Sequence, residues 1–278
     1  KNMQNALIGA VGLRIDTSLA NQFEHSSVLL GNTDSKSIPG SKKMPTPSRH
    51  FSIRIILTRI QSMHVNTDKS RSPNFQDLLD YFSSSDSANP KPITHPDKEV
   101  NRIAKESRQE LRKAAVLLPV TRQHPNKESS LVLTVRSENL KSHAGQISLP
   151  GGTKEDHDKD AVATALRESE EEIGLQPQHV NIIGQLGDLA LPSGFYVTPI
   201  VGIIESNLSL TPSPVEVTDI FQVPLELILN VTAYTHSTMN FNHRAHVILE
   251  LKFEDYRIWG ATAAILHHLA TMVTNRIR

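Results

Sequence analysis

The sequence predicts an α/β chain in which helices cover both faces of a mixed sheet, an α/β/α layered domain. Residues 114–120 are an unbroken apolar run of strand length, as expected of a strand buried on both faces. Residues 161–173 carry helical periodicity without an internal Gly or Pro, and Gly174 stands where a C-terminal cap belongs. Around these two segments strands and helices are interspersed along the chain, without a G-x-G-x-x-G turn or a P-loop to point to a doubly wound nucleotide fold.

Taken in order, residues 1–72 are rich in Ser, Asn and Lys/Arg and show little sustained periodicity. They are expected to be a disordered or non-native extension, and residues 73–278 the folded domain. Their basic, acid-poor character leaves an organellar transit segment as the alternative. Ile53–Ile60 is short enough to be either strand or helix. Phe75, Leu78, Leu79 and Phe82 repeat at helical spacing behind Asn74, a good N-cap. After a Ser/Pro-rich loop to about Pro96, residues 98–113 form a charged helical stretch. Residues 131–135 continue as a strand after the turn at 124–129.

Beyond Pro177, strands are expected at 180–186 and 196–204, with Pro199 marking an edge or a bulge and Leu189–Phe195 a loop with an apolar tip. Pro212 and Pro214 break the chain before Glu216. Residues 223–229 read as a short helix with Pro224 in its first turn, 246–253 and 256–259 as strands, and 262–273 as an amphipathic helix.

Composition excludes several classes of function. The 29 basic and 29 acidic residues cancel, so no global field favours nucleic acid or an anionic membrane. The chain has no cysteine, which rules out thiol nucleophiles and Cys-based zinc sites and fits a reducing, cytoplasmic compartment. No apolar run approaches the ~20 residues of a membrane span. The thirteen histidines are scattered without ligand spacing.

Chemistry concentrates at Leu149–Leu175. On the 161–173 helix, Val162, Ala165, Leu166, Ser169 and Ile173 form a packing arc. Glu168, Glu171 and Glu172, spaced i, i+3, i+4, lie on the adjoining arc within one side-chain reach. Arg167 can pair with Glu171, but one Arg does not balance three acids. A hard divalent cation, Mg2+ or Mn2+, is the economical completion; a solvated acidic face is the plainer alternative.

These residues resemble the box of the Nudix hydrolases, G-x5-E-x7-R-E-U-x-E-E-x-G-U with U a bulky aliphatic. Gly152, Arg167, Glu168, Glu171, Glu172, Gly174 and Leu175 supply its fixed points. The Gly152-to-Arg167 spacing is one residue longer than the box, so either Asp158 or Asp160 stands for its first Glu. Ser169 occupies the U position. The preceding Leu131-Val-Leu-Thr-Val-Arg-Ser through Leu149-Pro-Gly-Gly152 is similar to the extra signature of the coenzyme A pyrophosphatase branch, with Lys141 for its second Arg and Leu149 for its Phe. Segments 192–199, 214–217, 223–225 and 256–262 extend the likeness collinearly.

The resemblance implies a Nudix-type α/β/α sandwich with a mixed sheet and the Nudix loop-helix. It implies metal-dependent hydrolysis of the diphosphate of CoA or its derivatives to 3′-phosphoadenosine 5′-monophosphate and (acyl-)4′-phosphopantetheine. Glu168 and Glu172 would be the main metal ligands, Glu171 a third or supporting one, and the Gly152 carbonyl a loop ligand. Arg167 would orient the carboxylates. Glu168 or Glu216 would be the base. Arg136 is placed to grip phosphate as a bidentate fork, and Lys141 as a point charge, unless both are ordinary surface cations. Phe195 or Trp259 would stack on adenine or line the pantetheine path, unless they serve the core. Another nucleoside diphosphate-X, such as NADH or ADP-ribose, is the alternative substrate, and a non-catalytic nucleotide-binding module the alternative class. The expected partner is a CoA-like nucleotide, with no nucleic acid and no membrane; a homodimer is compatible with the sequence.

Overall fold

The computed structural model describes residues 71–106, 111–140, 143–241 and 244–277, which all belong to one of the two compact units of the chain. The expectations for residues 1–72, including Ile53–Ile60, lie outside the described residues apart from Arg71 and Ser72.

Its centre is a mixed eight-stranded sheet. β1 (Arg112–Thr121) and β7 (Phe195–Ile204) run parallel over their whole length, from Arg112 opposite Phe195 to Thr121 opposite Ile204. The other pairings are antiparallel. β2 (Ser130–Arg136) joins β1, β3 (Ile147–Ser148) and β8 (Val217–Pro224). β4 (Gly151–Thr153) lies along the first half of β1, while β5 (Asn181–Gln185) and β6 (Leu189–Leu191) share the far side of β7. A second, three-stranded sheet is ordered β11 (Tyr256–Trp259), β10 (Arg244–Phe253), β9 (Thr235–Phe241).

Side chains of the central strands alternate between two cores. Ala115, Leu117, Val132, Ile200 and Ile204 meet Ala165 and Ile173 of α3 (Ala161–Ile173) on one face. Leu118, Val120, Leu131, Leu133, Val201 and Ile203 join the opposite core with α1 (Phe75–Phe82), α4 (Leu225–Leu229) and α5 (Gly260–Ile277). Helices therefore cover both faces, as predicted, and the continuous apolar run is the strand that both cores share. Leu149, in place of the Phe expected there, is itself 3% exposed in the larger core.

Several elements differ from the sequence reading. The charged helix is α2, Lys98–Glu106, and Arg112 and Lys113 begin β1 instead; both are exposed, so their polarity says nothing about helix. The apolar tip at 189–195 is a hairpin, β6 turning through 192–194 into β7. Pro199 marks neither an edge nor a bulge of its own strand, because β7 is internal to the sheet. The Pro199 carbonyl accepts from the Leu186 N–H at 2.9 Å on the side where β6 gives way to β5, so its missing N–H falls at the junction between two partners. Val223 and Pro224 close β8, and the short helix starts only at Leu225. β8 and β9 had no counterpart in the sequence reading. α5 is buried almost all round from Thr262 to Leu266 and not amphipathic there.

Candidate active site

α3 begins where the Asp160 carboxylate caps the Ala163 N–H at 2.9 Å and ends at Gly174, whose left-handed φ of 68° a side chain would resist. Beyond the cap, the loop from β7 to β8 folds back onto the helix end. The Thr211 N–H donates to the Ile173 carbonyl at 3.0 Å and the Ser213 N–H to the Glu172 carbonyl at 2.8 Å. The orphan carbonyls of the last turn are thus satisfied by a loop that carries Glu216. Ser169, in a position that favours a bulky aliphatic, is fully buried, its hydroxyl donating to the Ala165 carbonyl at 2.6 Å.

The three glutamates separate. Glu172 turns inward and is 4% exposed; its carboxylate accepts the Gly151 N–H at 3.0 Å and lies 3.7 Å from an Arg136 guanidinium nitrogen. Burial pushes its pKa up to about 7; the Gly151 hydrogen bond and Arg136 oppose the rise, and the charges of Glu168 and Glu216 add to it. Glu168 is also raised, first by burial, against the pull of Arg167 at 3.0 Å and with a push from Glu171 and Glu216. Its carboxylate lies over Gly152 so closely that a Cβ there would stand 2.6 Å from it. Glu171 faces outward, held at 3.0 Å by Arg167.

Arg167 ties the loop to the helix. Its Nε and Nη2 grip the two oxygens of Asp158 at 3.0 Å each, Nη2 reaches the Thr153 carbonyl at 3.0 Å, and Nη1 serves Glu168 and Glu171. Asp158 is 5% exposed and also accepts from the Thr164 hydroxyl and the Glu155 N–H. The Arg167 bonds hold its carboxyl well below the usual carboxylate range. Of the two aspartates that the long spacing offers, Asp158 partners the arginine and Asp160 caps the helix.

Arg136 and Glu216 come together because β2 and β8 are paired, Arg136 opposite Val217, with the Ser137 N–H donating to the Glu216 carbonyl at 2.8 Å. Glu216 is half-buried, and its charge acts on both Glu168 and Glu172. Without β8 in the sequence reading, only the resemblance had placed Glu216 at the same site as Arg136. The Arg136 Nε is buried and has no hydrogen-bond partner among the described residues. Lys141 lies outside the described residues. Phe195 lies beneath the Arg112 guanidinium, 4.2 Å from its carbon to the ring centre, and Trp259 neighbours Arg257. The Gly151 N–H, which anchors Glu172, was not anticipated from the sequence; the Gly-Gly pair was its only trace.

Among the described residues no three His, Asp or Glu side chains stand, as placed, around a common point that would hold an ion. Glu168 and Glu172 nevertheless fit a cation chemically. Both are desolvated hard-oxygen donors whose neighbouring acids raise them further, and neither has a full countercharge of its own. Gly152 leaves the space that the Glu168 carboxylate fills. A cleft of roughly 400 Å³, lined by Arg122, His179, Asn181 and Glu205 among others, opens instead past the end of β1, away from these acids. Arg122 and Glu205 already pair there at 2.7 Å.

Residues 110–231 match the model of the NUDIX domain. An uncharacterized Nudix hydrolase NudL of Photorhabdus laumondii is 43% identical over 162 residues, which span 58% of this chain and 85% of that protein. Proteins of the same description from Pectobacterium atrosepticum (38% identical over 165 residues, 59% of this chain and 84% of the relative) and Yersinia pestis (37% over 166 residues, 59% and 80%) are also similar. A MutT protein from Methanosarcina mazei overlays at a TM-score of only 0.38, with 22% identity over 59% of this chain and 94% of that one. With the box residues on its loop and helix and this extent of identity, the chain belongs to the Nudix hydrolases, enzymes that cleave phosphorus-containing anhydrides.

Proposed function

We propose that the chain hydrolyses the diphosphate of coenzyme A or a derivative, supported by Mg2+ or Mn2+, with residues 73–278 as the working domain. The observation that carries the reading is Arg136. Its guanidinium stands 3.7 Å from the Glu172 carboxylate while the side chain keeps 26% of its exposure, a cation at the acid cluster that an incoming anion can reach. The leader in which Arg136 stands is the segment that resembles the CoA branch.

Glu168 and Glu172 would hold the cation, with Glu171 and the Gly152 carbonyl in support. When bound, the ion supplies charge neutralisation on phosphate oxygens and a more acidic water. Arg167, through Asp158 and Thr153, keeps Glu168 over Gly152. Arg136 grips a phosphate, assisted by Lys141. Glu216 takes the proton of the attacking water, since Glu168 is already engaged by Arg167. The water oxygen bonds to phosphorus, the bridging P–O bond breaks, and the leaving phosphate carries away the electron pair. We place the reaction in the cytoplasm, or in an organelle if residues 1–72 direct import.

The test is turnover of CoA, dephospho-CoA, NADH and ADP-ribose with either metal, the products resolved by mass. The reading expects CoA to be cleaved best, to 3′-phosphoadenosine 5′-monophosphate and 4′-phosphopantetheine. Better cleavage of NADH or ADP-ribose would move the substrate within the family. No metal-dependent cleavage of any of them would leave a nucleotide-binding module.

A further inference from the structure

The strand register carries the face of the acid cluster on across the sheet. Gly152 is opposite Ala115, and Ala115 is opposite Thr198. A Cβ on Gly152 would point at the Glu168 carboxylate, and Ala115 and Ile200 both belong to the core under α3. Thr198, two residues before Ile200 on β7, therefore looks to the same side of the sheet as Glu168. Two strand spacings, about 10 Å, separate it from Gly152. Ile200 is fully buried, whereas Thr198 and Tyr196 are half-buried and Lys113, opposite Tyr196, is exposed. The cover of this face thus thins out along β7.

One further side chain turns into this strip. Asp188, between β5 and β6, is half-buried, and its Oδ1 accepts the Thr198 hydroxyl at 2.7 Å, which places the carboxylate on the face of Thr198. Its backbone is held as well: the Asp188 carbonyl accepts the Ile93 N–H at 3.0 Å, and the Leu186 N–H donates to Pro199 of β7 at 2.9 Å. Its second oxygen bonds to nothing among the described residues. A carboxylate fixed by one oxygen and open at the other accepts a hydrogen bond from a ligand and turns an anion away.

We infer that Asp188, set by Thr198, is a specificity-determining contact for the hydrogen-bond donors of the neutral arm of the substrate, the hydroxyl and amide N–H that follow the diphosphate in pantetheine. The inference rests on the proposed CoA hydrolysis and adds to it the direction in which the substrate lies. Arg136 is on β2 and Asp188 lies beyond β7, on opposite sides of β1 in the sheet. The two arms of CoA differ in the same sense, since the nucleotide arm carries a 3′-phosphate and the pantetheine arm is uncharged. With phosphate toward the arginine and donors toward the carboxylate, the diphosphate falls between them at Gly152. The reverse orientation brings the 3′-phosphate against Asp188 and is disfavoured.

The experiment compares wild type, Asp188→Ala and Asp188→Asn as full chains with Mn2+. It reads kcat and KM for CoA, and the inhibition constant of the ethyl ester of 3′-phosphoadenosine 5′-diphosphate, which keeps the nucleotide arm and has ethyl in place of pantetheine. Asp188→Ala should raise KM for CoA on the order of tenfold, as for the loss of a hydrogen bond to a charged group, with kcat nearly unchanged and the inhibition constant unchanged. Asp188→Asn, which keeps an oxygen for Thr198, should raise KM in the same way without altering thermal unfolding. An unchanged KM in Asp188→Ala overturns the inference while leaving CoA hydrolysis standing. So does a parallel rise of KM and the inhibition constant, which would put the nucleotide arm at Asp188 or give the residue a role in folding alone, and so does loss of turnover in both variants. If wild type leaves CoA uncleaved, the underlying reading falls, and the inference with it.

Discussion

Glu172 gives up nearly all its hydration to reach the Gly151 N–H, and the one cation paired with it among the described residues is 3.7 Å away. The sign of the resulting pH dependence is fixed. Its folded pKa of about 7 lies above the ordinary carboxylate value of 4.5, so the folded state binds the proton more tightly. Below about pH 4.5 the group is neutral in both states and costs nothing; the penalty then grows as pH rises and is complete above about 7. In metal-free buffer Glu172→Gln should therefore be more stable than wild type at pH 8, by on the order of 3 kcal/mol. Denaturation at several pH values should show that gap closing toward pH 5, and a gap independent of pH would contradict it. The same substitution should lower turnover at least about a hundredfold, and wild-type-like activity would refute the ligand assignment. Of these acids, the sequence disclosed the identity and helical spacing. It did not disclose that Glu172 is buried and Glu171 exposed, because that depends on where β4 lies.

At the scale of elements, the bounds of α3 were legible, because the unbroken run and Gly174 are local features. Its N-cap Asp160 was not, and Leu166 of the expected packing arc joins neither core while Val162, Ala165 and Ile173 do. β8 and β9 were not legible. Val-Thr-Asp-Ile-Phe-Gln-Val-Pro and Thr-His-Ser-Thr-Met-Asn-Phe lack a clean two-residue alternation, and their strand character comes from pairing with β2 and β10. The resemblance named Glu216, but the pairing that sets it beside Arg136 was hidden for the same reason. Two substitutions test how α3 is held. Asp158→Asn leaves Arg167 without its buried partner and should cost about 3–5 kcal/mol, measured by chemical denaturation; a cost under about 1 kcal/mol would show the pair to be dispensable. Gly174→Ala meets no atom closer than 3.6 Å, so its cost is conformational alone, about 1 kcal/mol, or a fall of roughly 2–4 °C in Tm.

For the whole molecule, the alternation of β1, β2 and β7 between two cores was foreseeable from their apolar runs, whereas the closing of the larger core by α1 and α5 was not. α5 lies outside residues 110–231, yet Leu266 and Leu269 are fully buried against the central sheet and its neighbours. Leu269→Ala is expected to lower stability by about 2–5 kcal/mol in one cooperative transition. A loss below about 1 kcal/mol would mean that the C-terminal helix is an accessory. The central claim, that Glu168 and Glu172 hold a hard cation at a diphosphate site, is tested most directly by calorimetric titration of Mn2+ into wild type, Glu168→Gln and Glu172→Gln. Saturable binding to wild type that weakens at least about tenfold in each variant is the predicted result. Equal binding to all three proteins, or none to wild type, would contradict it.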